Sequence, residues 1–346
     1  MPALTFIVRH LAAALSSGSI KRYPALESIL ARSKQPHERH ESITDFVFST
    51  LGLTRRGDWP VGAVLAAAVE DEKDSAPEHR PVFWVCAQPV HLAVDRDSLI
   101  LQPLMDLQLS EAESHGLFET VRQHLAADQL EVRHAGPGFW CIGSRREQAM
   151  ETTETALVEG GAIDDSLPLG ADGQTWQRLV TELQMLLHGH PVNITREDQC
   201  LAPVNSIWLW GSGVMPRLQP GFDLIVSEDP ILRAAGMASG ARTLCPMSGP
   251  GTLSESESGL VDLDLTAIGG EDPIAIVERD WLRPAWDRLA NGSIDQLTVV
   301  IPLRNGVTVY RCGRRERRRF WRRRRPLAMA LPRAPEVRTD SFAGGP

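Results

Sequence analysis

Apolar runs and helical periodicities alternate along the chain and predict an α/β protein. Leu4–Val8 is apolar on both faces and reads as a first buried strand. Helical spacing follows at Ala25–Arg32, Ile43–Leu51 and Val61–Val69, and then an acidic loop at Glu70–Glu78. Pro81–Ala87 and Ser98–Gln102 read as strands. Ser110 with Glu113 forms a capping box ahead of a helix that buries Leu117, Val121 and Leu125. Gln129–His134 and Phe139–Gly143 read as a hairpin joined by Ala135-Gly136-Pro137-Gly138.

In the second half, Trp176, Leu179, Val180, Leu183, Leu186 and Leu187 share one face of a helix over Thr175–His188, which Gly189 and Pro191 end. Along Asn205–Trp210, Trp208 and Trp210 point one way and Ile207 and Leu209 the other. Burial on both faces is expected of a central strand in a parallel sheet. Phe222–Ser227 leads into Asp229-Pro230, an N-cap with proline at the first helical position. Next come a strand at Leu260–Leu265, a helix over Asp272–Asn291 broken at Pro284, and strands at Gln296–Ile301 and Val307–Tyr310. The alternation implies a mainly parallel sheet covered by helices on both faces. The acidic, Gly-rich, aperiodic stretch 146–173 reads as a long surface loop or a linker between an N-terminal half (1–145) and a C-terminal half (174–310), with a tail at 311–346.

Composition changes this picture at one place. The 346 residues carry a net charge of -8, but Arg311–Arg325 holds ten arginines and one glutamate, leaving the rest at -17. The five widely spaced cysteines form no C-x-x-C pair, which argues against a disulfide framework and a zinc knuckle and for a reducing cytoplasm. Arg9 and His10 interrupt the apolar opening, which is not expected to be a signal peptide. No run approaches the roughly 18 apolar residues of a membrane span.

Each candidate for chemistry admits two readings. Gly211-Ser212-Gly213 follows a buried strand and is either a tight turn or a loop whose N–H groups meet a small anion. His188 and His190 stand two apart at a helix end, the wrong spacing for a helical metal pair, and suit either helix capping or ligand binding. Asn193 and Asn205 flank the connector and would cap or bind. His91, Asp95, Arg96 and Asp97 gather metal-ligand and acid-base types within seven residues, as a polar turn also does. All ten histidines lie at or before His190, so no mechanism can draw one from the last 156 residues. In the tail, Arg318, Arg319, Phe320, Trp321 and Arg322 would bind nucleic acid, rest on anionic lipid, or dock on the acidic body.

The string Pro203-Val-Asn-Ser-Ile-Trp-Leu-Trp-Gly-Ser-Gly213, with Asp223–Met237 after it, resembles the archaeal-type cofactor-independent phosphoglycerate mutases of the alkaline phosphatase superfamily. Over a wider span, including Pro89–Asp97, Glu182–Asn193 and Arg319–Leu327, the chain resembles a proteobacterial family labelled mutase-like or regulatory protein. The resemblance implies an alkaline phosphatase-like fold and, in the mutases, a serine nucleophile beside two divalent metals. Here the first strand lacks the Asp-Gly and Gly-Asp signatures that open that metal site, the late Asp-x-x-Gly-His motif is missing, and Gln88 stands where the wider family usually has an aspartate. The expectation is therefore a protein without metal or other cofactor, regulatory or binding a small anionic ligand or a protein. The alternative is an active mutase or related phosphoryl-transfer enzyme holding manganese or zinc through ligands drawn from His91, Asp95, Asp97, Asp223, His188 and His190.

Overall fold

The computed structural model describes residues 2–15, 21–34, 39–69, 80–95, 98–103, 107–245, 253–254, 257–303 and 306–331. The chain forms two compact units: Met1–Glu41 with Gly249–Pro346, and Ser42–Ser248. This differs from the linear halves expected above. The first strand pairs with strands more than 250 residues away, so the chain's two ends build one unit and its middle the other. The described strands are β1 (Ala3–Arg9), β2 (Arg39–His40), β3 (Phe83–Val90), β4 (Leu92–Asp95), β5 (Ser98–Leu101), β6 (Glu131–Gly136) and β7 (Phe139–Ser144). They continue with β8 (Ser206–Gly213), β9 (Leu224–Val226), β10 (Arg242–Leu244), β11 (Gly259–Asp264), β12 (Gln296–Leu303) and β13 (Gly306–Gly313).

In the terminal unit β1 lies between β11 and β12, parallel to both, with Phe6 opposite Val261 and Val299. The antiparallel strands β13 and then β2 extend this sheet. Helices flank it, and Trp281 packs its ring edge on Phe6 at 6.4 Å. The fold is thus the mixed α/β arrangement that the strand and helix alternation implies, with a mostly parallel central sheet. The break expected at Pro284 takes the form of a π turn, Glu278–Leu282, between helices Pro273–Val277 and Arg283–Asn291. Proline has no N–H for the carbonyl four residues back, and the wider turn absorbs the mismatch. The turn also places Glu278, whose carboxylate accepts from Ala25 N (2.6 Å) and Leu26 N (3.0 Å) at the start of helix Pro24–Arg32.

The middle unit holds an antiparallel sheet in the order β6-β7-β3-β8, the pair β4-β5, and the parallel pair β9-β10. The expected hairpin is β6-β7. The capping box forms as expected, with Ser110 and Glu113 bonding reciprocally ahead of helix Glu111–Leu125. One expectation needs correction: β8 is the end strand of the antiparallel sheet, not the centre of a parallel one. Its two buried faces have another cause. On one side Ile207 and Leu209 join the cluster containing Val85, Trp140, Leu117, Trp176 and Leu187 from the sheet and helices Glu111–Leu125 and Gly173–His188. Toward the other side lies helix Val61–Ala68, where a Cβ on Gly62 would stand 2.5 Å from the Val85 carbonyl carbon. Coverage on both faces, rather than parallel pairing, sets the apolar pattern. The stretch 146–173 lies within the middle unit, where Glu151 and Leu169 pair as an isolated bridge.

Gly211–Gly213 belongs to β8 itself, at a register shift opposite Trp84 and Cys86. Gly211 has φ +65°, and an added Cβ would lie 2.7 Å from Val61 Cβ. Gly211→Ala should therefore lower unfolding stability in urea by roughly 2–4 kcal/mol, combining left-handed strain and overpacking. Gly189→Ala, which would face open space, serves as the control. Equal stability of the two variants would contradict the close approach of the helix.

Candidate functional site

The residues singled out by sequence fall into two groups. His91, Asn193 and Asn205 converge on the segment Pro203–Asn205, which they fasten. Asn193, 1% exposed, donates to the carbonyls of Leu187 and Val204 and accepts from Val204 N, all at 2.8 Å. Asn205 accepts from Leu92 N at 2.8 Å and donates to Leu92 O at 2.9 Å, imitating a strand pairing. The His91 ring lies 2.8 Å from Pro203 O through Nδ1. These side chains spend their polar atoms on backbone.

The others stay apart. His188 is exposed at the end of its helix, whereas His190 caps the next one, Pro191–Asp198, accepting from Val192 N; burial lowers its pKa. Periodicity missed that short helix, whose mean hydropathy is low and whose buried residues are Asn193 and Arg196. Asp95 is exposed at the end of β4, Asp97 lies outside the described residues, and Asp223 is exposed before β9. Ser212 N–H donates to Asp58 Oδ2 at 3.0 Å, and Ser212 Oγ lies 2.7 Å from the same oxygen. A carboxylate of the protein thus occupies the donor expected to meet an anion.

What the structure does bring together is a hydroxyl and carboxyl cluster in the middle unit. Ser42 is the N-cap of helix Ile43–Thr50, accepting from Asp45 N at 3.1 Å, and its Oγ donates to Glu154 Oε2 at 2.6 Å. Thr44 Oγ1 donates to the other carboxylate oxygen at 2.7 Å. Burial pushes the Glu154 carboxyl upward, the Asp229 carboxylate adds to the shift, and the two hydroxyls oppose it. Beside it Thr155 and Trp210 Nε1 both donate to Gln88 Oε1, a side chain 2% exposed. A neutral amide serves there as acceptor without adding a buried carboxylate next to Glu154 and Asp229. Thr152 donates to Asp58, completing a polar seam from Ser42 to Ser212. Burial drives the Cys86 thiol far up, so it is an inert packing group. The sequence signal for this cluster was the run Glu151-Thr-Thr-Glu-Thr155, hidden in a stretch whose composition resembles a linker.

The terminal unit presents the edge where α/β sheets place ligands, the carboxyl ends of β1 and β11. Arg9 closes β1 and bonds Asp262 of β11 through two nitrogens, at 2.7 and 3.1 Å. The next residue, His10, has a left-handed backbone (φ 60°), and its Nε2 stands 3.7 Å from Asp264 Oδ1. Asp264 also accepts from the N–H and hydroxyl of Thr266. A two-metal centre needs several free oxygen or nitrogen donors around each ion. At this edge the buried Asp262 carboxylate already holds a guanidinium, and among the described residues no three His, Cys, Asp or Glu side chains gather as a metal site. The donor set present does not fit such a centre.

Raised by burial, the folded-state pKa of Glu154 makes its contribution complete below the ordinary value of 4.5 and lost as pH rises through the shifted one. Wild type should thus lose more stability than Glu154→Gln as pH climbs from about 4.5 toward neutrality. Thermal melts across that range test this. Parallel profiles would show that the carboxyl is not buried in the ionised state.

No protein-family model matches the chain. It is 25% identical over 191 residues to a probable 2,3-bisphosphoglycerate-independent phosphoglycerate mutase of Geobacter sulfurreducens, covering 53% of this chain and 48% of the relative. The corresponding mutase of Methanosarcina mazei is 28% identical over 177 residues, covering 49% and 44%. That of Methanothrix thermoacetophila is 33% identical over 121 residues, covering 33% and 31%. The matched segment therefore spans about half or less of each relative. A solved structure of a Pyrococcus horikoshii protein shares the fold with a TM-score of 0.50 at 11% identity, over 90% of this chain and 87% of that one. The chain is a distant homologue of the cofactor-independent phosphoglycerate mutases.

Proposed function

We propose that this is a phosphoglycerate mutase-like protein that has lost the two-metal site and acts by binding, as a non-catalytic regulatory protein of the cytoplasm. The observation that carries the reading is the Arg9–Asp262 pair at the carboxyl edge of β1 and β11. A fixed cation of the chain neutralises the carboxylate that a metal would require, and Gln88 removes a second candidate charge. The hydrogen-bonded seam around Gln88 and Glu154 is the place in the middle unit where a small anionic ligand would have to compete for polar partners. Among the described residues no helix is long and apolar enough to cross a membrane.

One contact favours the rival reading, a phosphoryl-transfer enzyme. A serine hydroxyl donating to a carboxylate at 2.6 Å is the arrangement of a nucleophile and its base, and Ser42 with Glu154 has it. Steady-state interconversion of 3- and 2-phosphoglycerate, with manganese or zinc added, separates the two. The binding reading expects no turnover above background under any metal. Turnover abolished by Ser42→Ala, with the melting temperature kept, would replace it with the enzyme.

A further inference from the structure

The arginine-rich segment divides into two populations. Arg314 Nε donates to Ile294 O at 3.1 Å and its Nη2 to Gly292 O, at the C-terminal end of helix Arg283–Asn291; it also pairs with Asp295 at 3.0 Å. Arg322 donates to Ser33 O at 2.9 Å, just past helix Pro24–Arg32. Arg317 lies 5.9 Å from the Trp286 ring centre, and Arg319 bonds Glu316. Arg314 and Arg322 satisfy carbonyls at negative helix ends, and with the Arg317 and Arg319 contacts they anchor the segment. Arg315, Arg318, Arg323 and Arg325 are exposed and form no ion pair among the described residues, whereas Arg324, also exposed, interacts with the Glu27 carboxylate. Between them Phe320 is 81% and Trp321 66% exposed, their rings 5.4 Å apart and nearly perpendicular.

We infer that this anchored ledge binds single-stranded nucleic acid, the four outward arginines taking phosphates and the two rings taking bases. Every cation in Arg311–Arg325 is arginine, whose planar fork fits phosphate oxygens and stacks on bases. Two uncovered aromatic rings amid such cations form the platform that single strands use. A duplex reader would need a helix or ribbon for a groove, but the helix here is four residues long, Arg314–Arg317. A lipid surface calls for a long amphipathic face, which so short a helix does not supply. The acidic remainder of the chain confines contact to this ledge.

Anisotropy of labelled oligothymidylate titrated with the full chain tests the inference, with mixed-sequence duplex and phosphatidylcholine vesicles containing phosphatidylserine as comparisons. Binding to the single strand should weaken with salt at a log–log slope of about -3, as expected for four phosphates. The variant R315S/R318S/R323S/R325S should lose at least about tenfold in affinity and flatten that slope. F320A/W321A should weaken binding by about tenfold or more while keeping the slope. Absence of salt-sensitive binding by the wild-type chain overturns the inference, and needs no variant to fold. So does unchanged binding by both variants, or tighter binding to the vesicles than to the strand, which would assign the ledge to a lipid surface.

Discussion

The bidentate contact of Arg9 with Asp262 joins the first strand to a strand 250 residues later and sits where the sheet would hold its chemistry. Both groups lie at the ends of parallel neighbours, so the register Ile7 to Asp262 and Arg9 to Asp264 brings them together. Asp262 is only 5% exposed in its side chain, and a carboxylate so placed must be paired. Here a cation of the chain itself, the Arg9 guanidinium, pairs with it. The pairing stabilises the terminal unit and withdraws the carboxylate from any other cation. One interaction therefore ties the first strand to β11 and occupies the buried carboxylate at their carboxyl edge.

The middle unit shows the same economy of charge. Gln88 accepts two hydrogen bonds deep in the sheet without bearing a charge, and Glu154, beside it, is pushed toward its protonated form. The buried cation of this unit, Arg196, is used structurally. It donates to Ala202 O at 2.8 Å and to Leu107 O, and pairs with Glu113 at 2.8 Å. Burial works against ionisation of Glu113, but bonds from Ser110 and Arg196 hold its pKa below the usual range. The buried polar groups of this unit are spent on the fold.

Local rules were legible in the sequence wherever one element determined them. The capping box at Ser110, the Asp229-Pro230 N-cap and the β6-β7 hairpin follow from adjacent residues. What was not legible depends on distant pairing. The tryptophans of β8 announced two buried faces but not that antiparallel neighbours and helices cover them. Whether Asn193 and Asn205 cap or bind was open, because nothing local reveals that each matches a backbone segment in geometry. The hydroxyl and carboxyl cluster was hidden for the same reason: Ser42 and Glu154 are 112 residues apart. The arginine run was visible, but its division into anchored and outward side chains depends on two helix ends far upstream.

The shared fold rests on backbone pairing and apolar burial, which exchange of the charged residues at the strand ends leaves intact. The most direct test is to titrate manganese into the 346-residue chain and follow the free-ion signal by electron paramagnetic resonance. With Asp262 held by Arg9, the signal should grow in proportion to added metal, as in buffer alone. Loss of signal equivalent to two tightly held ions per chain would contradict the account.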